Sequence, residues 1–576
     1  MGYLDARPAC PYTDVLTIGR RATMAGHLVV IGGVAAGPKL AAKARRDDPE
    51  LEITLVTAEG MISYAGCGTP YYLGGTFRDR DKLIVREVDD FGKKNRVTML
   101  TEHRATSIDR AAKTVEVVDL KTDEVKTLEY TKLAICTGAS SFVPPLEGLP
   151  AEGVFALRTV TDALAIDDYL NSQNGRRVVV VGGGYIGLEL AEQFHQRQLE
   201  VTVVELAPQV MPRFDTTVAL AVRRELESMG IEVLLETRVT GVEADHRGRV
   251  TGVRTSQGLL AADLVILAIG VRPNTQLAAD AGLTLGRSGA IATDPTMRTS
   301  DPDIYAAGDC AECLDRVTGQ PTWVPLGSTA NKMGRTAAIN ICGGHDEFPG
   351  IVGTSLVRVG TLNVGGTGQT QAQLEAAGYQ FDSVLIPAAE RPTYMPGTGE
   401  VTLILHAEHG SRRVLGAQAY GTGAVDKRID VIATALSAGM TVDDLAQLDL
   451  GYAPPFAPAM DVVITAANVL RHKLDGTTKS VMPEALRDEL AEGTRIQLID
   501  VRELDEWQQG RLAGAQLVPL GTLPDHCDNL EDCQIVVYCA RGGRAASAFR
   551  VIRRAGHENV CYLEGGTTAW TGDLEK

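Results

Sequence analysis

No stretch of this 576-residue sequence reaches the roughly 20 consecutive apolar residues needed to cross a bilayer. A basic surplus is missing too: 56 Lys and Arg stand against 73 Asp and Glu, a formal charge of −17. That balance gives no footprint for nucleic acid and argues against an anionic membrane surface, leaving room only for local basic pockets that take phosphate. Residues 1–25 carry Pro8, Pro11 and several charges but no signal-peptide apolar core. They read as a loose extension, with Met24 as an alternative start. The ten cysteines show no paired zinc spacing, since Cys310 and Cys313 have no second pair, and no metal site is expected. A disulfide framework does not suit so large a chain, which points to a reducing cytoplasm. What remains is an ordinary globular composition, 44% apolar and 22% charged, with length for three or more domains.

Residues 27–59 read strand, glycine turn, helix, strand: HLVVIGGVAAG, PKLAAKARRDD, LEITLVTAE. Gly32, Gly33 and Gly37 follow the apolar run, but Val34 takes the place of the second fingerprint glycine. Alone, that motif fits a nucleotide site or any tight turn. The ribose-binding acid expected after the second strand falls on Thr57, with Glu59 two residues on. KLAICTG (132–138) is another buried strand ending in Thr137-Gly138, and the Pro-rich FVPPLEGLP after it looks like a crossover into a second domain.

The unit RRVVVVGGGYIGLELAEQFHQRQLEVTVVE is stronger. Gly182, Gly184 and Gly187 serve the tight turn, the approach of a pyrophosphate and helix packing, and the unit closes on Glu205. Glu205 can accept both ribose hydroxyls of NADH and would repel the 2′-phosphate of NADPH. LVILAIGVRPN (264–274) is a further strand; TSDPDIYAAGDCAE (299–312) reads as a strand followed by Asp309 at the start of a helix. There Asp309 bonds a ribityl hydroxyl or merely caps the helix. Two glycine turns and a late Gly-Asp describe a flavoprotein that binds FAD and NAD(P)H. Residues 350–470 then mix strand-like segments with helices, and HKLDGTTKS (472–480) reads as a linker.

Two cysteines stand in special surroundings. ISYAGCGTPYYLGG (62–75) places Cys67 beside Gly68, Pro70 and three tyrosines, where the backbone can turn sharply next to a flat cofactor. No second cysteine lies near it; Tyr72 stands five positions on, which excludes an intraprotein dithiol. IVVYCARGGRA runs a strand straight into Cys539. The loop Cys539–Arg544 precedes a helix, so its N–H groups and Arg541, Gly542, Gly543 and Arg544 can cradle an anion. A merely packed cysteine is the plainer alternative.

On these residues the chain resembles the CoA-disulfide reductase and CoA-persulfide or polysulfide reductase family with a C-terminal rhodanese domain, over about residues 27–576. The redox motif is matched from Ser63 through Cys67 to Tyr71, with Tyr64 for Phe and Gly66 where Asn is common. VELAPQVMPRFD, PLGSTANKMGRTAA and GAVDKRIDVIATAL match as well. The resemblance implies an α/β fold with two Rossmann-like dinucleotide domains, an α+β dimerisation domain and a rhodanese domain. It divides the chain into the extension 1–25, an FAD domain at 26–146 and 270–345, and an NAD(P)H domain at 147–269. A dimerisation domain follows at 346–470, a linker at 471–484 and the rhodanese domain at 485–576. It implies a homodimer in which Tyr394 and Tyr452 reach the partner's site, unless Tyr394 is only a packed interface aromatic. It makes Asp500 and Arg502 structural, and Arg46 the first candidate for CoA phosphates, with Lys93 and Lys94 behind it unless these are solvated charges.

The chemistry implied is passage of electrons from NAD(P)H via FAD to a small sulfur substrate (CoA persulfide, polysulfide or CoA disulfide) through Cys67, with sulfur relayed by Cys539. Two other readings stay open: an NADH oxidase or peroxidase cycling through Cys67 sulfenic acid, and a sulfurtransferase whose flavin part is auxiliary.

Overall fold

The computed structural model describes residues 26–173 and 175–576; the extension 1–25 lies outside the described residues. Among the described residues no helix is long and apolar enough to cross a membrane.

The first sheet is parallel, in the order Ile304–Ala306, Lys132–Ile135, His27–Ile31, Glu52–Val56, Thr98–Leu100. Its inner strands are continuous apolar runs, as strands buried on both faces must be. The helices Ala36–Asp47 and Gly327–Ile341 pack together beside it, so closely that a side chain at Gly334 would press on the Ala36 carbonyl. A second parallel sheet runs Glu232–Leu234, Glu200–Val204, Arg177–Val181, Leu264–Leu267, Val154–Ala156. The two crossings between these units lie side by side, Ala139–Ser141 paired antiparallel with Val271–Pro273.

The third sheet is antiparallel, ordered Ser355–Val359, Leu362–Gly368, Val414–Gly421, Glu400–Glu408, Phe381–Ala389, and the helices Val425–Ala438 and Val462–Leu474 cover it. The fourth is parallel: Ser480–Val481, Val560–Leu563, Gln534–Tyr538, Ile496–Asp500, Gln516–Leu517. One hydrophobic cluster joins the second, third and fourth units, running from Val178 and Phe214 to Leu385 and Ala569.

Two expectations need correction. The stretch 471–484 is largely structured, leaving only 475–479 as a connection: it holds the end of helix Val462–Leu474, the strand Ser480–Val481 that extends the fourth sheet, and the start of helix Pro483–Ala491. Its polarity misled because Arg471, His472 and Lys473 are the basic last turn of a helix, where cations offset the dipole. Asp309 does not begin a helix either. After Ile304–Ala306 the chain turns, bridges to Ile291 through Ala311, and becomes helical only at Gly327.

Candidate active site

The first glycine turn leaves strand His27–Ile31 with Gly32 at φ +120°, where a side chain would overlap the Cys136 carbonyl oxygen. A side chain at Gly37 would strike the carbonyl of Gly32, and one at Gly33 would come within 2.9 Å of Thr57. The helix that follows has no side-chain cap and no acid in its first turn, so its N–H groups are left for a phosphate. Glu59 accepts from Tyr64 OH at 3.0 Å, while its Oε2 is buried without a partner, and burial raises its pKa. An orphaned acceptor beside an uncapped glycine turn fits a dinucleotide bearing hydroxyls. Thr137 donates to the Asn274 carbonyl at 2.6 Å, and Asn274 returns a bond to the Thr137 carbonyl at 2.9 Å. That exchange stitches both crossings together and leaves the face of Gly138 open. Asp309, in its turn, is held by Arg158 at 2.6 Å, a residue the sequence did not single out.

Cys67 sits in a short helical turn, Gly66–Gly68, that runs into helix Thr69–Gly74 with Pro70 in its first turn. Its thiol is exposed. The loop is clamped from both sides. Ser63, at φ +47°, donates its N–H to Gly33 O at 2.9 Å and accepts from Val85 N–H at 3.0 Å, while Ala65 donates to Leu83 O at 2.7 Å. Tyr72 is buried, with its OH 3.4 Å from Asp167.

The second turn repeats the logic of the first. Gly182 lies against the Ala268 carbonyl and Gly187 against that of Gly182, while Gly184 opens on free space at the uncapped start of helix Tyr185–Gln196. Glu205 accepts from Gly183 N–H at 2.6 Å and from Ala207 N–H at 2.8 Å, which fixes its carboxylate at the turn. The Cys67 helix crosses this second helix so tightly that Gly74 has no room for a side chain against Gln193. There Tyr71 OH donates to Glu189 at 3.3 Å. Burial pushes Glu189 up to about 7, and burial with the neighbouring Glu189 charge pushes Tyr71 up to about 12.

Tyr394 and Tyr452 are 72% and 56% exposed, on loops that also present Phe456 and Met460 to solvent. Arg428, 1% exposed, ties the bases of both loops: it donates to Glu390 O at 2.7 Å and to Asp461 at 2.8 Å. On the first unit, Arg45 is occupied by carbonyls of Asp48, Pro49, Asn95 and Arg96, whereas Arg46 is exposed, as are Lys93 and Lys94 on the helix that Arg45 staples alongside.

Cys539 follows strand Gln534–Tyr538 and is 2% exposed, with Gly542 N–H donating to its Sγ at 3.1 Å. Gly542 is at φ +100°, before the uncapped helix Gly543–Arg554. Arg544 makes a bidentate pair with Glu506 at 2.6 and 2.5 Å, and Arg541 pairs with Glu400 of the third sheet. Asp500 and Arg502 are buried on each other at 2.7–3.0 Å, with Asp500 in register with Tyr538, the residue before Cys539. No cluster of three or more His, Cys, Asp or Glu suited to a metal occurs among the described residues.

Two glycine turns of the dinucleotide-binding type flanking an exposed cysteine, joined to a second cysteine in a glycine- and arginine-rich loop, are the marks of a flavin-linked, nicotinamide-dependent thiol redox enzyme. The chain belongs to the pyridine nucleotide-disulphide oxidoreductases, whose family model matches residues 26–334. The dimerisation domain of that family matches residues 354–463 and a rhodanese-like domain matches residues 482–573. FAD and NAD(P)H are its cofactors, and the residues above fit them.

The chain is similar to the reduced CoADR-RHD of Bacillus anthracis, with TM-score 0.90 and 36% identity over 95% of this chain and 97% of that one. It is also similar to the NAD-dependent persulfide reductase of A. fulgidus, with TM-score 0.88 and 40% identity over 94% of this chain and 100% of that one. The NAD(P)H sulfur oxidoreductase (CoA-dependent) of Pyrococcus abyssi is 37% identical, over 77% of this chain and 98% of its own length.

Proposed function

We propose that the enzyme reduces sulfane sulfur carried by a small thiol, a CoA persulfide or polysulfide above a plain CoA disulfide, at Cys67, with Cys539 exchanging sulfur with the same pool. The carrying observation is the pairing of one exposed cysteine, on a loop whose Ser63 N–H bonds the first glycine turn, with a loop cysteine in the same chain. For a persulfide the balance is R–S–SH + NADH + H⁺ → R–SH + H₂S + NAD⁺. Bound FAD supplies the two-electron link between nicotinamide and sulfur.

The protein's own residues do the rest. Gly182, Gly184 and Gly187 seat the nicotinamide dinucleotide and Glu205 its ribose; Gly32, Gly33, Gly37, Thr137, Gly138 and Asp309 seat the flavin dinucleotide. Cys67 thiolate attacks the outer sulfur of the persulfide, whose S–S bond breaks and releases R–SH, and two-electron reductive cleavage of the new Cys67 S–S bond returns the thiolate and H₂S. Ser63 holds the loop. Arg46, with Lys93 and Lys94, offers exposed cations for CoA phosphates, and Tyr394 and Tyr452 donate to the leaving thiol in the partner of a homodimer. The exposed apolar patch around these tyrosines supports that dimer. No disulfide joins two of the described cysteines, which suits a reducing cytoplasm.

The test is anaerobic NADH oxidation with CoA persulfide, CoA disulfide and polysulfide, following sulfide, for wild type, Cys67→Ser and Cys539→Ser. Sulfide lost with Cys67→Ser and weakened with Cys539→Ser supports the reading. Turnover only in air, unchanged in Cys539→Ser, overturns it in favour of an oxidase.

A further inference from the structure

Glu564 follows strand Val560–Leu563 and is 1% exposed, at the seam between the rhodanese-like unit and the third sheet. Its carboxylate accepts from Ser480 Oγ at 2.5 Å, Lys473 Nζ at 3.0 Å and the Leu385 N–H. Leu385 lies on the edge strand Phe381–Ala389, and Lys473 ends the helix packed on that strand and also donates to Ser383 O at 2.8 Å. A buried carboxylate therefore caps an otherwise open sheet edge and pairs with a cation from the same unit.

The next residues touch the other cysteine. A side chain at Gly565 would strike Leu385, and Gly566, at φ +54°, lies where any side chain would overlap the Cys539 carbonyl. Thr567 and Thr568 then donate to the carbonyls of Cys539 and Ala540, each at 3.0 Å. Four residues thus connect the seam to the backbone of the sulfur-bearing loop, and Arg541 adds a pair from that loop to Glu400 on the adjacent strand.

We propose that the Glu564–Lys473 pair is a positioning device for sulfur hand-off: it sets the Cys539 loop against the dimerisation domain, so that release of sulfur to the flavin module depends on it while loading of Cys539 does not. The inference rests on the reading that sulfur passes between Cys539 and the flavin module. In loading, Cys539 thiolate takes the outer sulfur of a polysulfide and the shortened chain leaves, with no net redox. In hand-off, a carrier thiolate attacks the outer sulfur, the Cys539 S–S bond breaks, a carrier S–S bond forms and Cys539 thiolate returns. NADH and a proton then convert the carrier persulfide to thiol and H₂S.

The experiment uses flavin-loaded full-length enzyme as wild type, Glu564→Gln, and the double variant Glu564→Gln with Lys473→Met. The double variant removes both charges and leaves neither buried alone. Cys539 is loaded with inorganic polysulfide under mass spectrometry, excess is removed, and CoA with NADH is added anaerobically while sulfide is timed. Both variants are expected to load within twofold of wild type and to reduce added CoA persulfide at the wild-type rate, yet to release sulfide from loaded Cys539 at least tenfold more slowly. Release within twofold of wild type in the double variant overturns the device, as does a parallel fall in loading. If loaded wild type yields no NADH-dependent sulfide, the relay reading falls and the device with it.

Discussion

The amide of Ser63 donates to the carbonyl of Gly33 at 2.9 Å, so the loop that carries Cys67 hangs from the first glycine turn. Ser63 takes a left-handed conformation to do so, a cost non-glycine residues accept only where surrounding bonds impose it. Val85 and Ala65 supply those bonds. Glycine turn and thiol loop are tied together by backbone bonds.

A side chain at Gly37 would strike the Gly32 carbonyl and open this turn. Gly37→Ala is expected to purify with less than half the wild-type flavin per chain, read from the absorbance ratio at the flavin and protein bands. Stoichiometric flavin in that variant would show that the turn relaxes without loss of its seat.

Glu205 is aimed by two backbone amides and has lone pairs to spare for a ribose. Glu205→Ala should lower kcat/KM for NADH by about tenfold or more, the worth of roughly 1.5–3 kcal/mol of charged hydrogen bonding. The value for NADPH should fall less or rise, since a repulsive charge is gone. Equal losses for both nucleotides would refute the discriminating role.

Burial raises Glu189 from the ordinary 4.5 to about 7. Between these values the folded enzyme holds a proton that the unfolded chain has released, so stability falls as pH rises from about 5 to 7, by roughly 3 kcal/mol at most. Glu189→Gln cannot titrate and should lack this part of the fall. Melting of the flavin-loaded enzyme at pH 5 and pH 8 checks it: the variant should lose a few degrees less than wild type across that interval.

Both glycine turns and both cysteine loops were legible because each is local, set by residues a few positions apart and by short apolar runs. The pairs that aim them were not. Arg158 and Asp309 are 151 positions apart, Tyr71 and Glu189 118, and Lys473 and Glu564 91, so only the folded chain brings them together. Lys473 shows the difficulty best. In the sequence it belongs to a polar run that looks solvated, yet one sheet edge and one buried carboxylate turn it inward.

Arg428 poses the sharpest test of how the exposed tyrosines are held. It bonds Glu390 O, where the Tyr394 loop begins, and Asp461, where the Tyr452 loop ends and the helix Val462–Leu474 starts. Asp461 also caps that helix through Val463 N–H at 3.1 Å, so its carboxylate stays in place if the arginine is removed. Arg428→Met would leave that carboxylate buried without its cation, a change that costs about 3–5 kcal/mol. The pair lies far from both glycine turns in the chain, so flavin content should hold while the loops loosen. Urea unfolding of the variant should therefore shift to lower denaturant, sedimentation should show dimer dissociation at higher protein concentration, and sulfide production should drop with flavin still bound. A variant that unfolds within about 1 kcal/mol of wild type and stays dimeric would mean that the loops hold themselves.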